Sequence, residues 1–182
     1  MTLGRGLRNT GNTCFLNATM QCLMVIDEIR YIRAPLQKPT STQDRLLFCV
    51  RELQKIEPAY TPYPLIQHIS SLILYEKGEP ADAHEFLIAV INDMSESISQ
   101  LFQGQMSSTV KCSLCERLTS STDNTQDISL QIVEDRNLSV EDSLHDFFEP
   151  EILEGVNAYW CDTCKKTCRM TKPSPSHETL RS

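Results

Sequence analysis

One cysteine, Cys14, lies where a glycine-containing loop meets the start of a helical pattern, three residues after Gly11. Apolar side chains follow it at helical spacing, at Leu16, Met20, Leu23 and Met24. The partial positive charge and the unpaired N–H groups of a helix N-terminus favour the thiolate, which is the nucleophilic form of cysteine. Cys14 is therefore a candidate nucleophile. The alternative is a small buried core residue beside a turn.

A carboxamide side chain, Asn9, stands five residues before this cysteine. A bend at Gly11 would bring its N–H group beside the sulfur. There it could stabilise the oxyanion that forms when a thiolate attacks a carbonyl, an effect of about 3 to 4 kcal/mol in comparable sites. Asn9 is thus a candidate oxyanion-hole side chain.

Two C-x-x-C pairs form a second constellation, Cys112 with Cys115 and Cys161 with Cys164. Each pair can present two thiolates to one tetrahedral Zn²⁺, and four thiolates leave no position for water or substrate. The predicted site is therefore structural. Its pairs are separated by more residues than in compact zinc ribbons. The alternatives are that the cysteines stay free, or that the nearby Cys168 competes as a ligand.

Helices and one strand must position these residues. Apolar periodicity predicts helices over 43–56, over 65–73 and from 82 to 101, with proline or glycine between them. Alternation over 128–132 predicts a half-buried strand. Ser139, with Asp142 three residues later, predicts a capped helix after it.

Composition narrows the function classes. The net charge of -7 and the pI near 5.1 argue against a nucleic-acid-binding surface, which needs clustered cations. No apolar run is long enough to cross a bilayer, and no secretory leader is recognisable, so we expect no membrane association. The eight cysteines then fit a reducing compartment, which predicts a cytoplasmic or nuclear protein.

The run from Gly6 to Leu23 resembles the cysteine box of the ubiquitin-specific proteases, and the run from Asp82 to Leu87 resembles the second signature of that family. The resemblance implies a deubiquitinating cysteine protease that hydrolyses the bond after the ubiquitin C-terminus. It assigns Cys14 as the nucleophile and Asn9 to the oxyanion hole. Asp82 and Glu85 match the acidic positions that hold the arginine-containing tail of ubiquitin.

The same resemblance implies an α+β, papain-like fold. Residues 1–102 would form the helical thumb, which carries the cysteine box. Residues 103–168 would form the fingers, where the family has widely separated zinc-binding pairs, and residues 169–182 are expected to be a polar, disordered tail. Ubiquitin and ubiquitinated proteins are the implied partners.

The family takes its catalytic histidine from a segment beyond the fingers, and most of the palm lies there too. His177 is the one histidine after Cys164, and it lacks the flanking glycine and tyrosine of the family's histidine box. We therefore expect an incomplete active site and weak or undetectable turnover. The alternatives are a catalytically inactive ubiquitin-binding remnant or regulator, and a chain in which only the zinc site persists as an interaction module.

Overall fold

The computed structural model describes residues 5–32, 39–55, 57–133, 138–172 and 180–181. The chain divides into two compact units, Met1–Gln100 and Leu101–Ser182. Within the described ranges the first unit is built from helices and the second carries the strands. The predicted combination of α and β structure is confirmed.

The first unit contains the helices α1 (Cys14–Leu23), α2 (Asp27–Arg30), α3 (Thr42–Leu53), α4 (Tyr63–Ile66), α5 (Ile69–Leu72), α6 (Ala83–Asn92) and α7 (Glu96–Ser99). The second unit contains β1 (Gly104–Cys112), β2 (Leu118–Thr125), α8 (Val140–Phe147), β3 (Glu151–Leu153), β4 (Tyr159–Cys161), β5 (Lys166–Cys168), β6 (Met170–Lys172) and β7 (Leu180–Arg181). In the described ranges, no helix combines the length and the apolar character needed to cross a membrane.

Helices α1 and α6 pack together near their N-terminal ends. The ring of Phe15 meets the edge of Phe86, with centroids 5.4 Å apart, and Thr19 Oγ1 donates to the carbonyl of Ala83 at 3.2 Å. The predicted apolar stripe of α1 is buried at Leu16, Met20 and Leu23. Each such side chain contributes about 1.5–3 kcal/mol on burial. This packing brings the starts of the two helices, and hence Cys14 and the signature around Asp82, into one region of the first unit.

Two of the predicted helices are divided in the structure. The pattern over 82–101 gives α6, which ends at Asn92, and α7, which begins after Ser95, whose N–H donates to Gln43 Oε1 at 3.0 Å. The pattern over 65–73 likewise gives α4 and α5. Periodicity persists across these breaks because both halves turn their apolar positions to the core, as at Val90, Ile91, Met94 and Ile98.

Strand β1 is the centre of the main sheet, whose order is β2-β1-β6-β3. It pairs antiparallel with β2 from Gly104 opposite Thr125 to Lys111 opposite Leu118. Its other edge pairs with β6 through Cys112 opposite Met170, and with β7. A separate antiparallel hairpin is formed by β4 and β5.

The strand predicted over 128–132 is wrong, because this segment is irregular in the structure. Ile132, which the alternation would have placed on a covered face, is 94% exposed. Alternation provides an apolar face, but a strand also needs a neighbour for its backbone N–H and C=O groups. The registers of the described sheets include no pairing for this segment. The helix expected after Ser139 is confirmed as α8, with Ser139 and Asp142 forming the capping box.

The structure places an ordered strand inside the stretch expected to be a disordered tail from residue 169. Strand β6 lies between β1 and β3, and Met170 is 3% exposed. One buried methionine and pairing on both edges hold this polar stretch in the sheet. Residues 173–179, which include His177, lie outside the described residues.

Candidate active site and metal centre

Cys14 is the first residue of α1, and its side chain is exposed. The alternative of a buried core cysteine is therefore excluded. The first N–H groups of a helix have no partner within it. The hydrogen bonds of α1 begin with Asn17 N–H, which donates to Thr13 O at 3.1 Å. The sulfur thus sits at the open, electropositive end of the helix.

The loop before α1, residues 8–13, reverses through two positions in the left-handed region, Gly11 (φ 101°) and Asn12 (φ 51°). Glycine and asparagine are the residues that adopt this conformation most readily. Two side chains hold the loop in place. Asn12 Nδ2 donates to the carbonyl of Gly78, and Asn17 Nδ2 donates to the carbonyl of Arg8 at 3.2 Å.

The carboxamide of Asn9 is oriented by its oxygen. Asn9 Oδ1 accepts from Gly11 N–H at 3.2 Å, from Thr13 N–H at 3.0 Å and from Thr13 Oγ1 at 3.1 Å. Because the oxygen is committed to the loop, the Nδ2 group is the end of the side chain that can donate elsewhere. The bend at Gly11 that the sequence suggested is present.

Asp82 and Glu85 both lie at the start of α6 and are exposed. Asp82 is the N-cap, and its Oδ1 accepts from the backbone N–H groups of His84 at 2.6 Å and Glu85 at 3.1 Å. These donors, Glu85 N–H first, lower the pKa of the Asp82 carboxyl. Asp82 therefore has a structural task, while its charge and that of Glu85 remain open to solvent.

Two of the histidines have other tasks. His68 has both ring nitrogens engaged, with Nε2 at 2.8 Å from Thr42 Oγ1 and Nδ1 at 2.8 Å from Ser71 Oγ. His145 lies on α8 in the second unit and pairs with Glu149 at 3.3 Å. Both nitrogens of the His68 ring are therefore already bonded to hydroxyl groups within the first unit.

The four knuckle cysteines come together in the second unit. The sulfurs of Cys112, Cys115, Cys161 and Cys164 all lie within 4.8 Å of one another. Cys112 and Cys164 are 3.9 Å apart, and Cys115 and Cys161 are 3.7 Å apart. A tetrahedral Zn²⁺ with Zn–S bonds of about 2.3 Å requires sulfurs about 3.8 Å apart. The donor set and the spacing therefore fit a four-thiolate metal site.

Each knuckle is a tight turn at the tip of a hairpin. The residue after each second cysteine is in the left-handed region, Glu116 (φ 58°) and Lys165 (φ 53°). These turns aim backbone N–H groups at the first sulfur of each pair. The N–H groups of Cys115 and Leu114 lower the pKa of Cys112 to about 6, and the N–H of Cys164 lowers the pKa of Cys161. The turns thus favour the thiolate form that binds a metal.

Cys168, the alternative ligand left open by the sequence, lies outside the group of four. It is buried, and its thiol donates to the carbonyl of Lys166 at 3.4 Å. Burial raises the pKa of this thiol. The two-plus-two arrangement is therefore the one that the structure brings together.

Sequence reasoning did not identify the segment that lies beside the Cys14 loop. Gly78 accepts from Asn12, and its own N–H donates to Tyr75 Oη at 3.3 Å. The Tyr75 ring packs on Phe15, with centroids 5.6 Å apart. Only the glycine before the second signature could have indicated a turn here, since the contacts with Asn12 and Phe15 span 60 or more positions.

Comparison with known proteins gives these features a family. The family model described as ubiquitin carboxyl-terminal hydrolase matches residues 5–173, and the chain therefore belongs to that family. The predicted relationship to the ubiquitin-specific proteases, which are cysteine-type deubiquitinating enzymes as a family, is confirmed.

Among human proteins the chain is similar to ubiquitin carboxyl-terminal hydrolase 17-like protein 6, with 28% identity over 98% of this chain and 50% of the relative. It is also similar to 17-like proteins 13 and 11, with 28% identity over 98% of this chain and 37% of each relative. The chain thus spans half or less of the length of these curated relatives.

Proposed function

We propose that this chain acts as a deubiquitinase, in which Cys14 attacks the carbonyl carbon of the bond after the ubiquitin C-terminus. The observation that carries the proposal is an exposed sulfur on the first residue of α1. It follows a loop whose Asn9 carboxamide has its oxygen committed and its N–H group available. Membership of the ubiquitin carboxyl-terminal hydrolase family supports ubiquitin as the substrate.

The proposed reaction is acyl transfer. The Cys14 thiolate forms a bond to the carbonyl carbon, and the carbonyl oxygen becomes an oxyanion. Asn9 Nδ2 and the backbone N–H of Cys14 are the donors proposed to stabilise it. The intermediate collapses with loss of the amine, which takes a proton from solvent as its bond to carbon breaks, and a thioester remains on Cys14. Water then hydrolyses the thioester and frees the ubiquitin carboxylate.

Substrate recognition is proposed to use the start of α6. Asp82 and Glu85 offer two exposed carboxylates, and the lowered pKa of Asp82 keeps that group ionised at neutral pH. A cationic side chain in the tail of ubiquitin would complement them. The family resemblance supports this assignment, since both residues fall in the second signature.

The remaining architecture is proposed on the same basis. The first unit would correspond to the thumb and the second to the fingers of a papain-like protease. Cys112, Cys115, Cys161 and Cys164 would hold a structural Zn²⁺, because four thiolates at tetrahedral spacing leave no open coordination position. When bound, the metal supplies cross-linking of the two knuckles rather than catalysis.

A second candidate function is ubiquitin binding without turnover. The observation that favours it is the pair of exposed carboxylates at the start of α6, Asp82 and Glu85, which could bind the tail of ubiquitin whether or not Cys14 reacts. Under this proposal the chain would bind ubiquitin and act as a regulator.

Covalent capture tests the first proposal. The 182-residue chain would be incubated with ubiquitin carrying a C-terminal thiol-reactive group and examined by intact mass. We expect one ubiquitin adduct on Cys14, absent in Cys14→Ala and retained in Cys22→Ala, which removes an exposed cysteine of the same helix. Absence of the adduct in the wild type would reject Cys14 as a live nucleophile.

Hydrolysis distinguishes the two candidates. With a fluorogenic ubiquitin C-terminal amide, the first candidate predicts slow release that disappears in Cys14→Ala, slow because amine departure needs a proton donor. The second candidate predicts no release. Fast release that disappears in Cys14→Ala would support a complete protease. Binding without adduct or release would support the regulator.

A further inference from the structure

A fifth cysteine lies against the metal centre. Cys168, the last residue of β5, is 4% exposed and belongs to the same buried cluster as Cys112, Cys161 and Met170, with Cys164 packed against that cluster. Cys168 therefore touches the sulfur cluster without being one of the four mutually close sulfurs.

Backbone pairing from both knuckles fixes the position of Cys168. In the β4–β5 hairpin it pairs with Tyr159, two residues before Cys161. Residues two apart on a strand share a face, so Cys168 and Cys161 lie on the same side of the hairpin. The carbonyl of the next residue, Arg169, accepts from Ser113 N–H of the first knuckle at 3.1 Å. The thiol is thus held beside the site by two separate elements.

Cys115 differs from the other three ligands because it is exposed, whereas Cys112 and Cys161 are buried and Cys164 is partly buried. Three sulfurs of a tetrahedral site define a plane, and a metal bound to them can take a fourth sulfur from either side of that plane. Cys168 packs in one buried cluster with the three other ligands, Cys112, Cys161 and Cys164. It is therefore placed to complete a site that has lost Cys115.

We propose that Cys168 is an alternative ligand of this metal centre and takes the place of Cys115 when that thiolate is unavailable. The proposal rests on the proposed zinc site. In the exchange the Cys115–metal bond breaks, the Cys168 thiol gives its proton to solvent, and its sulfur forms the new bond to the metal. Four thiolates bind the ion before and after, so the charge of the site is unchanged.

Cobalt binding to the full chain tests this, because the intensity of the thiolate-to-Co²⁺ charge-transfer band reports the number of sulfur ligands. We expect the wild type, Cys168→Ala and Cys115→Ala to bind one Co²⁺ with the same band intensity. The double variant Cys115→Ala/Cys168→Ala should show the weaker band of three thiolates. Its affinity should fall by more than the about 10- to 100-fold that follows removal of an outer-shell partner.

The outcomes separate the two proposals. If Cys115→Ala already shows the three-thiolate band, or loses Co²⁺, Cys168 is not an alternative ligand, although the four-cysteine site stands. If the wild type binds no Co²⁺ through sulfur, the metal centre itself is rejected and Cys168 with it. Two controls detect a variant that fails to fold. Cys115→Ser is measured in the same way, and Trp160 emission reports folding of the hairpin that holds the second knuckle.

Discussion

At the residue scale, Asn9 uses the two ends of one carboxamide for different purposes. Its oxygen accepts three hydrogen bonds from Gly11 and Thr13 and shapes the loop before Cys14. Its N–H group is the proposed oxyanion donor. A substitution that separates these purposes is available, because aspartate keeps the oxygen and removes the donor.

We predict that Asn9→Asp and Asn9→Ala both slow acyl transfer to Cys14 by about 10²- to 10³-fold, since each removes an oxyanion donor. The measurement is single-turnover transfer from a ubiquitin C-terminal thioester, whose leaving thiol does not depend on a positioned acid. The thermal midpoint should fall less in Asn9→Asp than in Asn9→Ala, because the aspartate still accepts the loop bonds. Wild-type transfer by Asn9→Asp would show that Asn9 only shapes the loop.

At the element scale, the starts of two helices carry the proposed chemistry. Helix α1 presents Cys14, and α6 presents Asp82 and Glu85. The packing of Phe15 on Phe86 holds those starts together. The N-cap role of Asp82 means that a loss of binding in Asp82→Ala could come from a damaged helix start.

Asp82→Asn separates the loss of the charge from the loss of the helix cap, because asparagine is an equally good N-cap without the charge. We predict that ubiquitin affinity, measured by calorimetry, falls in Asp82→Asn as much as in Asp82→Ala, whereas the thermal midpoint falls only in Asp82→Ala. Wild-type affinity in Asp82→Asn would reject the proposed contact with the ubiquitin tail and leave Asp82 as a cap.

Hydrogen bonds between polar side chains join α3 to the end of α6 and to the turn between α4 and α5. Thr42 at the start of α3 is 1% exposed, and its hydroxyl donates to Asp93 Oδ2 at the end of α6. Its oxygen therefore accepts from His68 Nε2–H. Burial, followed by the charge of Arg45, lowers the pKa of His68, while Asp93 opposes the shift.

We predict that this histidine makes the first unit sensitive to acid. Because the pKa of His68 is lower in the folded chain than its value of about 6.5 when unfolded, the unfolded state binds more protons in acid. The contribution of His68 to the stability of the folded chain is therefore complete above a pH of about 6.5 and is lost as the pH falls below that value. Thermal midpoints between pH 7.5 and 5.5 should decline less in His68→Gln than in the wild type or in the exposed control His145→Gln. If the thermal midpoint declined equally in the wild type, His68→Gln and His145→Gln, the acid sensitivity could not be assigned to His68.

At the scale of the whole molecule, the two units are stabilised differently. The first has an aliphatic and aromatic core that includes Leu16, Leu46, Leu53, Leu65, Ile69 and Phe86, each at most 1% exposed. The buried cluster of the second consists of Cys112, Cys161, Cys168 and Met170. Three of these four residues are cysteines, so the second unit depends on what binds its sulfurs.

We predict that metal removal unfolds the second unit selectively. Trp160, the one tryptophan of the sequence, precedes Cys161 on β4 and reports on this unit. A strong chelator should shift Trp160 emission to longer wavelength, and added Zn²⁺ should reverse the shift. Hydrogen exchange in α1, α3 and α6 should remain slow in the chelated sample. Unchanged emission in a sample shown to be free of metal would contradict a structural role for the ion.

Short-range features could be predicted from the sequence because their physics is local. The start of α1 at Cys14, the capping box at Ser139 and the two knuckles each depend on residues within a few positions of one another. The family relationship was equally accessible, because both signatures are continuous in the sequence. Periodicity identified the apolar faces of the helices but not where those helices break.

Only the tertiary structure decided which distant groups meet. The four sulfurs converge from two hairpins about 50 residues apart, Asn12 reaches Gly78, and β6 joins the sheet although its sequence is polar. The segment 128–132 alternates like a strand yet has no pairing in the described sheets. Sequence specifies which residues carry reactive atoms and apolar faces. The distances between those atoms depend on long-range packing and pairing, which each local segment leaves undetermined.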